Sequence, residues 1–196
     1  NNGLAGIRFQ DSNFVFPGGF TNRHHAALSI GGAPYQFQQN ESFRFDVDVI
    51  VESTAGTEAG IWIGTAPFYP NSASANVGNF VLLPDNAGEI AAFGGLLPFF
   101  SNNQNPFDNG NPNPPGNMAR SARNQTFHLT LIYDFGPNPT VNYGVNGVFT
   151  GALDGFMSSF PGFDNNSLLG VYVQGPNGRP GVVDVTFSNL RIIPAP

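Results

Sequence analysis

The chain has 196 residues, of which only 10% are charged, and its 13 Asp and Glu against seven basic residues give a net charge of −6. Ordinary soluble domains carry about a quarter charged residues, and every basic residue here is Arg, with Lys and Cys both absent. This balance excludes a basic stripe for nucleic acid, and the lack of Cys excludes thiolate metal sites, thiol redox chemistry and a disulfide framework.

The length fits one domain spanning 1–196 that buries a core without covalent staples. With 20 Phe against two Met and one Trp, that core is expected to rest on Phe. No apolar run approaches the roughly 18 residues needed to span a membrane, so no span is expected in this chain. The opening at Asn1 without Met reads as a mature form from which an export signal has been removed, placing the protein outside the cell or on its surface.

In chain order, Phe14 to Phe16 and Leu28 to Ile30 are short strand candidates. Phe43 to Glu52 is the clearest strand, with Phe43, Phe45, Val47, Val49 and Val51 alternating against Arg44, Asp46, Asp48, Ile50 and Glu52. That period of two marks a sheet with one buried side. Ala59 to Thr65, around Trp62, reads as a buried strand continuing from it, with Trp62 in the core. Phe80 to Leu83 and Glu89 to Phe93 suggest a hairpin through Pro84-Asp85-Asn86-Ala87-Gly88.

From Gly94 to Asn124 the rhythm breaks into a long irregular loop rich in Asn, Pro and Gly. A loop of that length inside a compact domain is usually functional or disordered. Thr126 to Asp134 then alternates again. Thr140 to Val145 and Val148 to Thr150 flank Asn146-Gly147, the strongest short hairpin signal. Leu168 to Gln174 and Val182 to Ile192 read as the final pair. Helical periodicity is almost absent, so the expected fold is all-β, an antiparallel β-sandwich.

The order of an alternating strand ending Tyr133-Asp134-Phe135, an Asn-Gly hairpin, Leu169-Gly170-Val171-Tyr172-Val173 and Val185-Thr186-Phe187-Ser188-Asn189-Leu190-Arg191-Ile192 resembles the concanavalin A-like jelly roll across residues 40 to 193. The ending Pro194-Ala195-Pro196 resembles the tripeptide of PEP-CTERM-type bacterial surface proteins, with Ala195 where Glu is usual. The resemblance implies a secreted jelly-roll domain.

The polar residues suggest several site chemistries. Glycoside hydrolysis needs two flanking carboxylates; Asp46, Asp48 and Glu52 share a strand face but read as a solvated outer side. Structural calcium would use oxygens on turns, with Asp85, Asn86, Glu89, Asp108, Asn109 and Asp164 as candidate ligands; no other cofactor is expected. His24 and His25 point to opposite faces of a strand, so one transition metal would not take both. Phe99, Phe100, Phe107 and Tyr69 are candidate contacts for a ligand or partner.

The leading expectation is a non-catalytic extracellular structural protein of the cell surface or matrix, self-assembling into fibres or layers. In that form the segment Asn1 to Phe16 would be donated to a neighbour's sheet edge. Its partners would be further copies or other surface components. The alternative is a carbohydrate-binding, lectin-like module with glycan partners, and a glycan-degrading enzyme stands third.

Overall fold

The computed structural model describes residues 6–12, 23–36, 41–54, 56–65, 77–84, 88–94, 97–98, 100–101, 121–153, 167–175 and 181–194. They form the strands β1 (Ile7–Asp11), β2 (Arg23–Ala27), β3 (Ser29–Ile30), β4 (Ala33–Pro34), β5 (Phe43–Val51), β6 (Glu58–Thr65), β7 (Val77–Leu83) and β8 (Glu89–Phe93). The series continues with β9 (Phe100–Ser101), β10 (Thr126–Asp134), β11 (Thr140–Val145), β12 (Val148–Phe149), β13 (Ser167–Gln174) and β14 (Val183–Pro194). No helix occurs among the described residues, and none there is long and apolar enough to cross a membrane.

Two six-stranded antiparallel sheets face each other, ordered β1-β14-β5-β10-β11-β12 in the first and β2-β13-β6-β7-β8-β9 in the second. The period-two pattern explains the first sheet. Phe45 stands opposite Leu131 on β10 and Ile192 on β14, and Val49 opposite Phe127 and Phe187. These inward side chains meet Ile61, Ile63, Phe80, Leu82, Leu169, Val171 and Val173 from the second sheet in one core. Each such side chain stabilises the fold by about 1.5–3 kcal/mol through burial. The all-β jelly-roll sandwich expected from the sequence is the observed architecture.

Local chemistry fixes the turns. Asn146 and Gly147 both have positive φ, 50° and 81°, as the tight β11–β12 turn requires. In β14 the register shifts between Ser188 and Arg191, where Asn189 takes a φ of 52°. Asn tolerates that conformation better than a branched residue.

The structure corrects several sequence readings. Ala59–Thr65 does not continue the preceding strand: β5 belongs to the first sheet and β6 to the second. Leu168–Gln174 and Val182–Ile192 do not pair, since β13 lies between β2 and β6 while β14 lies between β1 and β5. In a sandwich, strands adjacent in sequence often cross between layers, and alternation alone does not reveal this.

The Asn1–Phe16 segment is not offered to a neighbour over 7–11, because Ile7–Asp11 pairs with β14 of its own chain. The strand candidate at 14–16 lies outside the described residues, as do Ala195 and Pro196. The 94–124 segment is anchored where it is described. Ser101 pairs with Ala91, Leu97 is buried in the core, and the Tyr143 hydroxyl donates to the Pro98 carbonyl at 2.7 Å.

Candidate functional site

The outer faces of the two sheets differ in how their polar groups are satisfied. On the first sheet, Asp46, Asp48, His128 and Thr130 stand on adjacent rows of β5 and β10. Asp46 is only 5% exposed. It accepts from Arg44 Nε at 2.8 Å and Thr130 Oγ1 at 2.6 Å, with His128 Nε2 at 3.3 Å. His128 Nδ1 lies 2.7 Å from Asp48 Oδ1, and Asn189 Nδ2 donates to Asp48 Oδ2 at 2.6 Å. Burial pushes the Asp46 carboxyl up, but the bonds from Arg44 and Thr130 outweigh it and hold it below the usual carboxylate range.

Asp46 and Asp48 are therefore not the solvated acids that the sequence suggested. They form a closed, mutually satisfied network. Beside them Arg8 grips Asp184 through two bonds of 2.7 and 2.6 Å, and these bonds lower the Asp184 pKa.

The outer face of the second sheet is built differently. The inward residues of β6 are Ala59, Ile61 and Ile63, which turns Glu58, Gly60, Trp62 and Gly64 outward. On β13 the outward set is Leu168, Gly170, Tyr172 and Gln174, and on β7 it includes Asn79 and Val81. Registers align Arg23, Gln174 and Glu58 in one row and His25, Tyr172, Gly60 and Val81 in the next. A third row holds Gly170, Trp62, Asn79 and Phe93.

Aromatic rings and glycines thus interlock: Tyr172 faces Gly60 across β13 and β6, and Trp62 faces Gly170. A Cβ on Gly64 would meet the Trp62 ring at 2.6 Å, so the absence of a side chain there lets the indole lie flat. The His25 ring packs 4.9 Å from Trp62 and 5.0 Å from Tyr172. Trp62 is only 2% exposed, yet it belongs to a separate outer cluster with Val77, Val81 and Tyr172. The expectation that Trp62 sits in the main core is corrected: it is buried, but on the far side of the sheet.

Polar groups line this face too. Arg23 Nε donates to Gln174 Oε1 at 2.9 Å, and the Tyr172 hydroxyl donates to the same oxygen. The hydroxyl also lies 3.3 Å from Glu58 Oε2. Arg23 can only donate, so it fixes the Gln174 amide with Oε1 toward it and Nε2 away. Gln174 Nε2 and Asn79 Oδ1 have no hydrogen-bond partner among the described residues, although Gln174 is fully buried and Asn79 is 8% exposed. Buried polar atoms are normally satisfied, and two orphans on one face call for an explanation.

Burial sets the protonation here. It pushes the Glu58 carboxyl up, a push that the Tyr172 hydroxyl and Arg23 do not cancel, with the smallest contribution coming from Glu89 in the same upward sense. Burial likewise raises the Tyr172 phenol, helped by Glu58. Burial, with Arg23 and His24 nearby, lowers His25 to about 4, so its ring is neutral at pH 7.

Of the residues proposed from sequence, Phe99, Phe107, Tyr69, Asp85, Asn86, Asp108, Asn109 and Asp164 lie outside the described residues. Phe100 stands in β9 opposite Ala92, and Glu89 in β8 opposite Leu83, in line with Glu58. Among the described residues no group of three or more His, Asp and Glu is placed to hold a metal. His24 and His25 do face opposite ways, His24 toward Phe9 and Asp11. The sequence reading missed Arg23, Asn79, Tyr172 and Gln174. A signal was present in the alternation Glu58-x-Gly60-x-Trp62-x-Gly64 and Gly170-x-Tyr172-x-Gln174, which sets polar and aromatic residues between glycines on one side.

No protein-family model matches the chain, and no curated protein does. Solved structures do match in fold. The alginate lyase from Klebsiella pneumoniae aligns at 15% identity with a TM-score of 0.56, over 97% of this chain and 81% of that one. The family 7 alginate lyase A1-II′ in complex with substrate aligns at 8% identity with a TM-score of 0.57, over 97% and 78%. A second structure of alginate lyase A1-II′, a member of polysaccharide lyase family 7, aligns at 8% identity with a TM-score of 0.56, over 97% and 80%.

These matches agree with the jelly-roll fold, and they correct the leading functional expectation. The similar folds belong to alginate lyases, against the expectation of a non-catalytic, self-assembling structural protein.

Proposed function

We propose that the chain is a carbohydrate-binding protein whose glycan site is the outer face of the second sheet, and that it works outside the cell. The observation that carries this reading is a buried cluster of aromatic rings on the outer side of the second sheet, set beside amide atoms that have no partner among the described residues. Ligand sites are mostly apolar and aromatic, with a few convergent polar groups that orient the ligand. Trp62, His25 and Tyr172 supply the first part, and Gln174 Nε2 and Asn79 Oδ1 the second. The shared core of the two sheets supports reading the chain as one domain. The low charge and the polysaccharide-directed neighbours support export to the surface or beyond, in keeping with the resemblance of Pro194-Ala195-Pro196 to a surface-sorting tripeptide.

Affinity electrophoresis through gels cast with different polysaccharides tests the reading. Retardation by at least one of them, lost in Trp62→Ala and kept in Asp48→Asn, is the expected result. Equal mobility in every gel contradicts it.

One observation favours a second reading, cleavage of the bound glycan. Glu58 is held toward its neutral form by burial and shares a row with Glu89. Two strand spacings separate them, roughly 10 Å between backbones, near the upper end for an acid and base flanking a water molecule. Release of reducing ends that disappears in Glu58→Gln while binding persists would establish it. Binding without any release leaves the protein a lectin.

A further inference from the structure

We propose that Asn146 is a modification site, at which the folded chain reacts with itself and then with water to give aspartate and isoaspartate. The Asn-Gly turn between β11 and β12 has no role in glycan binding on the second sheet, and its chemistry points elsewhere.

The reaction asks three things of the fold: a polarised carbonyl carbon, an amide nitrogen free to attack it, and a leaving group free to depart. Asn146 meets the first. Its main-chain N–H donates to the His128 carbonyl at 2.8 Å, as a ladder residue would. The return bond does not go to its main-chain carbonyl. Asn146 has a φ of 50°, and the His128 N–H donates instead to Asn146 Oδ1 at 2.8 Å. A backbone N–H aimed at that oxygen draws electrons from Cγ and stabilises the negative charge that forms on Oδ1 when a nucleophile adds.

Gly147 meets the second condition. It is exposed, no hydrogen bond holds its N–H among the described residues, and a Cβ there would meet nothing within 4 Å. With no side chain of its own, it leaves its nitrogen unscreened. The third condition is met because Asn146 is exposed and its Nδ2 has no partner among the described residues. The other described asparagines lack this combination. Asn79, Asn124, Asn142 and Asn189 precede Phe80, Gln125, Tyr143 and Leu190, whose side chains hinder the attack. Asn189 Nδ2 is also held by Asp48 at 2.6 Å.

In the first step the Gly147 nitrogen gives its proton to solvent and bonds to Asn146 Cγ. Nδ2 takes up a proton and leaves as ammonia, which closes a five-membered imide. Water then opens the ring. Addition at Cγ breaks the Cγ–N bond and gives aspartate. Addition at the main-chain carbonyl carbon breaks the other C–N bond and gives isoaspartate, with the chain running through Cγ. Oδ1 survives both routes, as a carboxylate oxygen in one and a peptide carbonyl oxygen in the other, so the His128 N–H keeps an acceptor. Either product carries one negative charge more than the −6 of the parent chain.

The test follows the peptide containing residue 146 by mass spectrometry after the full chain is incubated at neutral pH in native buffer and in urea. An isoaspartyl methyltransferase marks the isoaspartate product. The polarising bond exists only in the folded chain, so conversion at 146 is expected to be at least as fast in native buffer as in urea. Asn124 and Asn189 in the native digest are expected to remain intact. Asn146→Gln, whose longer side chain has to close a six-membered ring, is expected to lose the reaction and its acidic shift on isoelectric focusing. An Asn146 peptide that stays unmodified, or one that converts more slowly in native buffer than in urea, overturns the proposal.

Discussion

The outer faces of the two sheets use similar polar residues to opposite ends. On the first sheet Asp46, Asp48, His128, Thr130, Arg44 and Asn189 satisfy one another, so that face is complete without a ligand. On the second sheet Arg23, Tyr172 and Glu58 converge on a single oxygen of Gln174 or stand beside it, while Gln174 Nε2 and Asn79 Oδ1 are left without partners. A closed network contributes to folding, whereas an open one costs stability that only a bound group can recover. The second face is therefore the one that leaves buried polar atoms over among the described residues.

The largest expected effect tests the closed side. Asp46→Ala removes the acceptor of Thr130, Arg44 and His128 at a buried position. A loss of about 1–3 kcal/mol is expected from the stranded donors, measured by urea unfolding, with glycan binding unchanged. Full stability in that variant would show the network to be ornamental.

Acid separates the faces next. His25, with its pKa lowered to about 4, contributes stability that is fully present above pH 6.5 and is lost as pH falls from 6.5 toward 4. The loss is on the order of 2 kcal/mol. Asp46 and Asp184, with lowered values, contribute stability that is lost only as pH falls below about 3.8. His25→Phe, which keeps a ring against Trp62, is therefore expected to flatten the stability profile between pH 4 and 6.5 and leave the lower limb intact. Glu58 works in the opposite sense. Its raised pKa makes its contribution complete below pH 4.5 and lost as pH climbs through the raised value. Glu58→Gln should remove a decline in stability above pH 4.5, and an unaltered profile would refute the burial account of that carboxyl.

Asn79→Leu is smaller in stability and more telling. Replacing an unsatisfied buried amide with a similar apolar side chain is expected to leave stability unchanged or raise it by up to about 1 kcal/mol. A clear loss in thermal unfolding would mean that the amide has a structural partner. The smallest effect is expected for Arg8→Ala, whose side chain is largely solvent-exposed. Exposed ion pairs are weak and screened by salt, so its melting curve should overlay the parent at high salt.

The first sheet was legible in the sequence because its outer face is polar. Phe43 to Val51 and Thr126 to Asp134 alternate cleanly, and Asn146-Gly147 announces its own hairpin. The second sheet was hidden for the converse reason. With Trp62, Val81 and Tyr172 buried on its outer side, its strands read as continuous apolar runs, which carry no facing information. Trp62 was therefore assigned to the main core. Arg23–Ala27 has almost no β signal of its own and is held by pairing with β13. Which sheet each strand joins depends on contacts far apart in sequence, and the orphan amides emerge only once those contacts bring Gln174 and Asn79 onto one face.

The chain contains a single Trp, and it stands on the proposed site. Titrating soluble oligosaccharides, neutral and acidic, while recording Trp62 emission therefore reads the central claim directly. A saturable change in intensity or wavelength that follows a parallel calorimetric isotherm is the predicted result. Calorimetric binding with unaltered Trp62 emission would contradict it and move the glycan off the second sheet.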